Sequence, residues 1–85
     1  MARIRSYGKS DQRIGVHQTE VDCEYVVVED VQGRYLHLST FGSDERASAR
    51  KSSQSIQLDQ ERAAELISII NWAFPGIQNA NGRAR

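Results

Sequence analysis

The chain has little of several features that define whole classes of protein. Its 85 residues include one cysteine, one proline, no net charge and no long apolar run. Cys23 has no partner for an internal disulfide, and no Cys/His spacing fits a zinc finger. Eleven basic and eleven acidic residues cancel, so the overall charge indicates no class of partner. Without a membrane-length apolar run or a signal-peptide pattern, we expect a cytoplasmic protein.

Enzyme motifs are also missing from the sequence. There is no nucleophile elbow, no glycine-rich phosphate loop and no recognisable pair of carboxylates. His17, His37 and Cys23 are the residues that a nucleophile and a base would need, but Cys/His catalysis also requires an orienting third group and an oxyanion pocket. We therefore predict no enzymatic activity, no catalytic residue, no cofactor and no metal site.

The length allows one domain with a marginal core. A chain this short buries only about two thirds of its unfolded surface, so association with a second copy would add needed stability. We predict a single domain over residues 1–76, with a loosely packed N-terminal arm at 1–19. The polar, basic end of the chain at 77–85 is expected to be a flexible tail.

The most informative segment runs from residue 53 to residue 74. An alternating strand there leads through Asp59, a good N-cap, into an amphipathic helix. Apolar side chains recur along one side of this helix: Ala63, Leu66, Ile67, Ile70, Ala73 and Phe74. Trp72 falls on the opposite side and Ile69 lies between the two. We interpret this second side as covered by another copy of the chain, and we predict Ile69 and Trp72 as dimer-interface residues.

Two runs of β-forming residues between 21 and 41 predict a hairpin. Asp30 and Gly33 favour a type I turn followed by a glycine bulge, which pairs Asp30 with Arg34. A two-residue turn at Gln32 and Gly33 is the alternative, and it would shift the register by one residue. The favoured register places one aliphatic set on a single face: Val26, Val28, Leu36 and Leu38.

The other face of this predicted hairpin is rich in flat side chains. It carries Cys23, Tyr25, Val27, Tyr35, His37, Ser39 and Phe41. Such a surface suits stacking of unpaired bases, while packing under the N-terminal segment or a partner subunit is the alternative. Three basic residues in the following loop, Arg46, Arg50 and Lys51, are placed to meet phosphates, although a solvated connection explains them equally.

The N-terminal twenty residues leave room for one more strand, at 3–7 or at 13–18. The predicted fold is α+β: a four-stranded antiparallel sheet followed by one C-terminal amphipathic helix, in a homodimer. A helix of about fifteen residues is about 22 Å long, which is enough to cross such a sheet.

This order of elements resembles a known family. The hairpin EDVQGRYLHLSTF, the linker GSDERASARK and the segment SQSIQLD before ERAAELISIINWAF are similar to the positive-cofactor-four family of single-stranded-DNA-binding transcriptional coactivators, including its bacterial and phage members. The resemblance covers about residues 21–74. It implies a homodimer whose curved sheets bind single-stranded or melted DNA, or RNA, as a transcription or replication accessory factor.

The resemblance also implies roles for individual residues. Arg34 and His37 would lie on the binding hairpin, and Tyr35 and Phe41 would stack on bases. The backbone contacts would come from Arg46, Arg50 and Lys51. The competing hypothesis is a dimeric interaction module of a bacterial or phage accessory protein, which docks on a larger protein and binds no nucleic acid. Trp72, Ile69 and the sheet aromatics would then anchor a protein interface.

Overall fold

The computed structural model describes residues 1–42 and 52–77, in which four strands precede one helix. The elements are β1 (Ala2–Arg3), β2 (Asp22–Asp30), β3 (Gly33–Phe41), β4 (Ser52–Leu58) and α1 (Gln60–Ala73). The strands form one sheet in the order β1-β4-β3-β2. This confirms the α+β class and the order of four strands followed by a helix. The sheet is mixed, however, because β1 runs parallel to β4 while the other two pairs are antiparallel.

The N-terminal strand is shorter than predicted. Only Ala2 and Arg3 pair with β4, and the amide of Ile4 adds one hydrogen bond of 2.9 Å to the carbonyl of Gln57. Residues 13–18 form no strand, and they are exposed along their whole length. A side chain that buries nothing contributes little to strand pairing, which explains why Ile14 and Val16 do not extend the sheet.

The predicted hairpin register is wrong by one residue. Asp30 pairs with Gly33, so the loop consists of Val31 and Gln32 alone and no glycine bulge forms. The Asp30 carboxylate explains the tight loop, because its Oδ1 accepts hydrogen bonds from the amides of Gln32 at 2.8 Å and Gly33 at 3.2 Å. An aspartate that binds backbone amides in this way forms an Asx turn.

This register redistributes the side chains of β2 between the two faces of the sheet. We call the side that carries Tyr35 and His37 the outer face; it carries Arg3, Tyr35, His37, Ser39, Phe41, Ser55 and Gln57, together with Asp22, Glu24, Val26, Val28 and Asp30. We call the other side the inner face; it carries Arg34, Leu36, Leu38, Ile56 and Leu58, together with Cys23, Tyr25, Val27 and Glu29. Hence Tyr25 and Val27 share a face with the leucines, contrary to the prediction.

The helix begins as the sequence predicts. Asp59 is the N-cap, with extended backbone, and its Oδ1 accepts a hydrogen bond of 2.8 Å from the amide of Arg62. Leu58 is the one buried apolar residue of the described chain, 2% exposed, and no residue of α1 is fully buried. The 14-residue α1 is the sole helix of the described ranges, and it is not long and apolar enough to span a membrane.

An N-terminal segment lies along the side of the helix that carries Trp72. The Arg62 guanidinium donates to the carbonyl of Arg5 at 3.1 Å, and the Tyr7 hydroxyl donates to the carbonyl of Arg62 at 2.8 Å. Farther along, the Lys9 ammonium lies 5.0 Å from the centre of the Trp72 ring. Burial raises the pKa of the Tyr7 phenol, which keeps it a hydrogen-bond donor. Residues 5–9 therefore form a strap on α1.

Removing the helix cap should destabilise the fold measurably. We expect Asp59→Ala to lower the free energy of unfolding by about 1 kcal/mol, because the amide of Arg62 loses its acceptor. Urea denaturation followed by circular dichroism measures this change. Asp59→Ser retains a capping oxygen and should recover most of the loss; equal stability of the alanine variant and the parent would contradict the assignment.

Candidate nucleic-acid interface

Three flat side chains follow one another along the outer face of β3. Tyr35, His37 and Phe41 all lie on this face because side chains of a strand alternate between its two sides. At about 3.4 Å per residue, Tyr35 and His37 are about 7 Å apart along the strand, and Phe41 is about 14 Å beyond His37. All three are half-buried, and Ala63 at the start of α1 lines a depression with Leu36 and Leu58 of the inner face. The three side chains form a row of rings on the outer face.

The guanidinium of Arg3 lies at the Tyr35 end of this row. Arg3 projects from β1, and its Nη1 donates a hydrogen bond of 3.0 Å to the Tyr35 hydroxyl. The carbon at the centre of the Arg3 guanidinium lies 5.5 Å from the centre of the Tyr35 ring, which is within the range of a cation–π contact. The parallel pairing of Arg3 with Gln57 holds the arginine on the outer face. An aromatic ring and an anion-binding group therefore meet there.

His37 is held in one orientation by its neighbour on β4. The side-chain nitrogen of Gln57 lies 2.9 Å from Nδ1 of His37. This contact holds the imidazole ring in place. The His37–Gln57 pair thus presents the second ring nitrogen of His37 and the amide of Gln57 to the depression that Tyr35 also lines.

These groups surround a depression on the outer face. It has a volume of about 650 Å³, and its lining includes Arg3, Tyr35, His37, Ser55 and Gln57, together with Glu29 and Asp30 on the β2 side. The mixture of an aromatic ring, a guanidinium, two acidic residues and several hydrogen-bonding side chains is typical of a site for a flat polar group. The depression is open, so it suits a segment of a long ligand.

The acidic residues of the outer face are concentrated on β2. Asp22, Glu24 and Asp30 all point to this side, at the edge of the sheet beyond β3. Arg3 lies at the opposite edge, on β1. The outer face therefore divides into an acidic β2 side and a side around β3, β4 and β1 that carries the rings and Arg3. The positive charge of Arg3 favours a phosphate on the second side.

One predicted binding residue lies off this surface. Arg34 pairs with Glu29 and lies on the inner face, opposite to the rings. Its Nη1 is 3.0 Å from a carboxylate oxygen of Glu29 in an exposed ion pair. Arg34 was predicted to join Tyr35 and His37 in one site, but consecutive residues of a strand lie on opposite faces, so Arg34 does not share the surface of the Tyr35 ring in any register.

Three further predicted contacts fall outside the described residues. Arg46, Arg50 and Lys51 belong to the range 43–51, so their place relative to the outer face stays a prediction.

The predicted dimer-interface residues lie beside the strap of residues 5–9. Ile69 and Trp72 line a groove with Tyr7, Gly8 and Lys9. Trp72 is nevertheless 69% exposed, so the strap covers only part of the indole. The chain's own N-terminal segment accounts for part of the apolar surface that the helix pattern assigned to a second copy.

Sequence reasoning missed Arg3, Ser55 and Gln57 as residues of this surface. Ser55 and Gln57 could have been found, because they alternate with Ile56 and Leu58 and must share the face opposite to those apolar residues. Arg3 gave a weaker signal, since a basic residue in a charged N-terminal segment has no periodicity of its own.

Comparison of the chain with protein-family models, with curated proteins and with solved structures finds no match. The candidate site is therefore argued from its own geometry.

Proposed function

We propose that the protein is a homodimer that binds single-stranded DNA or RNA on the outer faces of its two sheets. The row of Tyr35, His37 and Phe41 with Arg3 at its end is the observation that carries this proposal. The resemblance to single-stranded-DNA-binding coactivators supports the same assignment. The corresponding biological role is that of a cytoplasmic accessory factor in transcription or replication.

The rings supply binding energy that does not depend on sequence. Each base that stacks on an aromatic side chain contributes about 1 to 3 kcal/mol. Duplex bases are stacked on each other and have no free face, so the row favours an unpaired strand. The half-buried rings are also held by their neighbours, which limits the entropy lost on binding.

The charges define the path of the strand. Arg3 attracts a phosphate toward β1, whereas Asp22, Glu24 and Asp30 repel one from β2. The bases then lie over β3 and β4, and the backbone runs on the side away from β2. If Arg46, Arg50 and Lys51 also contact the strand, they add to the same electrostatic attraction.

Exposed apolar side chains on the inner face and on α1 support the proposed dimer. One buried apolar residue in the described ranges is a small core for a stable domain, and several apolar side chains of the inner face and of α1 are exposed. Those with the largest exposure are Ile67 at 60%, Phe74 at 61%, Tyr25 at 78% and Val27 at 47%. A second copy that packs its helix and inner face against them would complete both cores.

Pairing through the inner faces leaves both outer faces available. One strand long enough to reach both sites would then bind with a higher apparent affinity than either site alone provides. Stability and binding thus depend on opposite sides of the same sheet, which makes them separable by mutation.

Two arginines provide a matched test of the binding face. We expect Arg3→Ala to weaken binding of a labelled single strand by about three- to tenfold, and to reduce the steepness of the salt dependence by about one phosphate contact. Arg34→Ala removes the same charge from the inner face and should leave binding within about twofold, since net charge alone is a weak long-range term. Fluorescence anisotropy at several salt concentrations measures both, and equal losses in the two variants would contradict the outer-face assignment.

A further inference from the structure

Another depression adjoins the candidate site, and we call it the edge depression. It has a volume of about 790 Å³, and it is lined by residues of β1, of segment 4–6, of β3 and of the start of α1. Arg3 and Tyr35 line both the edge depression and the depression that contains the His37–Gln57 pair. A long ligand that contacts the Tyr35 ring and the Arg3 guanidinium can therefore continue from one depression into the other.

Three basic residues and one acidic residue line the edge depression. These four residues are Arg3, Arg5, Arg62 and Asp59. Arg62 has anionic partners on its own helix, since its Nε lies 3.0 Å from a carboxylate oxygen of Glu65 and its Nη2 lies 3.4 Å from one of Glu61. The charge of Arg62 is thus offset within α1, and the attraction for an external anion depends on the other two arginines.

Arg3 and Arg5 are not matched by carboxylates in this way. Among residues 1–42 and 52–77, no acidic side chain lies within ion-pair distance of either guanidinium. Arg3 donates its hydrogen bond to the Tyr35 hydroxyl, which carries no charge. Two guanidinium groups against the single carboxylate of Asp59, which caps α1, leave the edge depression with a positive balance.

The backbone at Arg5 is held against α1 while its side chain is exposed. Nη1 of Arg62 donates a hydrogen bond of 3.1 Å to the carbonyl of Arg5, and the Tyr7 hydroxyl donates one of 2.8 Å to the carbonyl of Arg62. A fixed backbone limits the entropy that is lost when the side chain contacts a ligand. The Arg5 guanidinium thus has a fixed base and donors that suit a phosphate.

We infer that Arg5 is a further nucleic-acid-binding residue, and that the bound strand leaves the outer face over β1 and passes through the edge depression. One base stacks on Tyr35, Arg3 contacts the phosphate beside that base, and Arg5 contacts the next phosphate along the strand. This inference rests on the proposed function, and it adds the course of the strand beyond the rings.

Removal of the Arg5 side chain tests the inference. We expect Arg5→Ala to weaken binding of a labelled single strand by about three- to tenfold, and to lower the slope of log affinity against log salt by about 0.7, the value for one phosphate. The variant keeps the Arg5 carbonyl that Arg62 contacts, so the strap remains attached. Fluorescence anisotropy at several salt concentrations measures both changes.

Arg13→Ala is the matched control for Arg5→Ala. It removes the same charge from the N-terminal segment at an exposed position that lines neither depression. We expect its affinity to stay within about twofold of the parent, since net charge alone is a weak long-range term. Equal losses in Arg5→Ala and Arg13→Ala would overturn the inference, because they would show a general effect of charge.

The double variant Arg3→Ala/Arg5→Ala tests whether the two arginines contact different phosphates. Separate contacts have additive effects, so the slope should fall by about two contacts and the two losses in affinity should multiply. A double variant that binds as well as Arg3→Ala alone would overturn the inference.

An added charge in the edge depression provides a test that loss of folding cannot imitate. Ser6 lines this depression, and Ser6→Lys should strengthen binding by about two- to threefold and steepen the salt dependence. Ser68→Lys adds the same charge at an exposed position of α1 and should do neither. Wild-type binding that does not respond to changes at residues 5 and 6 would overturn this inference alone, whereas absence of wild-type binding would overturn the proposed function with it.

Discussion

Replacing Ile67 with aspartate is expected to convert the dimer into monomers, with a rise of at least about 100-fold in the dissociation constant. The variant places a carboxylate in the apolar surface that a second copy covers, and an unpaired buried charge costs several kcal/mol. A factor of 100 corresponds to about 2.7 kcal/mol, which is within that range. Because both copies carry the change, the interface receives two charges. Sedimentation velocity over a range of protein concentrations measures the shift.

The choice of Ile67 follows from its exposure in the single chain. It is 60% exposed and lies one turn from Ala63 on the same side of the helix, and Ala63 lines a depression with Leu36 and Leu58. A solvent-exposed aspartate at this point costs the monomer little, so the effect falls on association. The folded state of the variant can be checked by its circular dichroism spectrum.

Two further variants show which side of the helix forms the interface. Ser68→Asp introduces the same charge at an exposed position outside the apolar stripe of the helix, and it should leave the dimer intact. Trp72→Asp tests whether the interface is instead on the side of the helix that the strap of residues 5–9 partly covers. If Trp72→Asp dissociated the dimer and Ile67→Asp did not, the interface would be at Ile69 and Trp72, as the helix pattern predicts.

Removing the rings at both ends of the row should reduce single-strand binding more than any other change to the outer face. We expect Tyr35→Ala and Phe41→Ala each to cost about 1 to 3 kcal/mol of binding free energy, which is about 5- to 150-fold in affinity. The double variant should lose close to the sum, because the two rings are about 20 Å apart and act on different bases. Anisotropy titration of a labelled strand measures each variant.

Conservative replacements separate the loss of a ring from the loss of packing. Tyr35→Phe and Phe41→Tyr retain the flat surfaces and should bind within a few-fold of the parent. Thermal unfolding of the alanine variants determines whether each remains folded at the temperature of the titration. Full affinity in a folded double variant would show that the row of rings is not the binding surface.

Most of the fold could be predicted because local signals agreed with each other. Asp59 is a strong N-cap, the segment before it alternates, and the apolar spacing after it is helical. The two runs of β-forming residues became β2 and β3 within one residue of their predicted ends. Each of these features depends on neighbours in sequence, which is the information that a single sequence provides best.

The register and β1 depend on less local effects. One hydrogen-bonding choice, made by the Asp30 side chain, shortened the loop by one residue and thereby moved Tyr25 and Val27 to the inner face. Strand β1 has two residues, too few for any periodicity, and its parallel partner is more than fifty residues away in the chain. Arg3 therefore entered the candidate site only once the sheet topology was known.

The helical pattern showed which residues share a side of α1, but it did not show what packs against each side. It correctly separated Trp72 from the apolar stripe, but it gave no indication that Tyr7 and Lys9 would lie along that side. It also placed Ile67 and Phe74 in the apolar stripe of the helix, although both side chains are largely exposed in the single chain. A helical wheel identifies which residues share a side, whereas the partner of each side depends on tertiary contacts.

Titration of a fluorescein-labelled single strand of about 20 nucleotides with the wild-type protein, at about 50 and 200 mM salt, tests the central claim most directly. Unlabelled duplex of the same sequence serves as the competitor. The account predicts binding that weakens with salt and that excess duplex does not displace, whereas unlabelled single strand does. No binding at the lower salt concentration, or equal displacement by duplex, would contradict the claim that the rings and Arg3 of the outer face bind an unpaired strand.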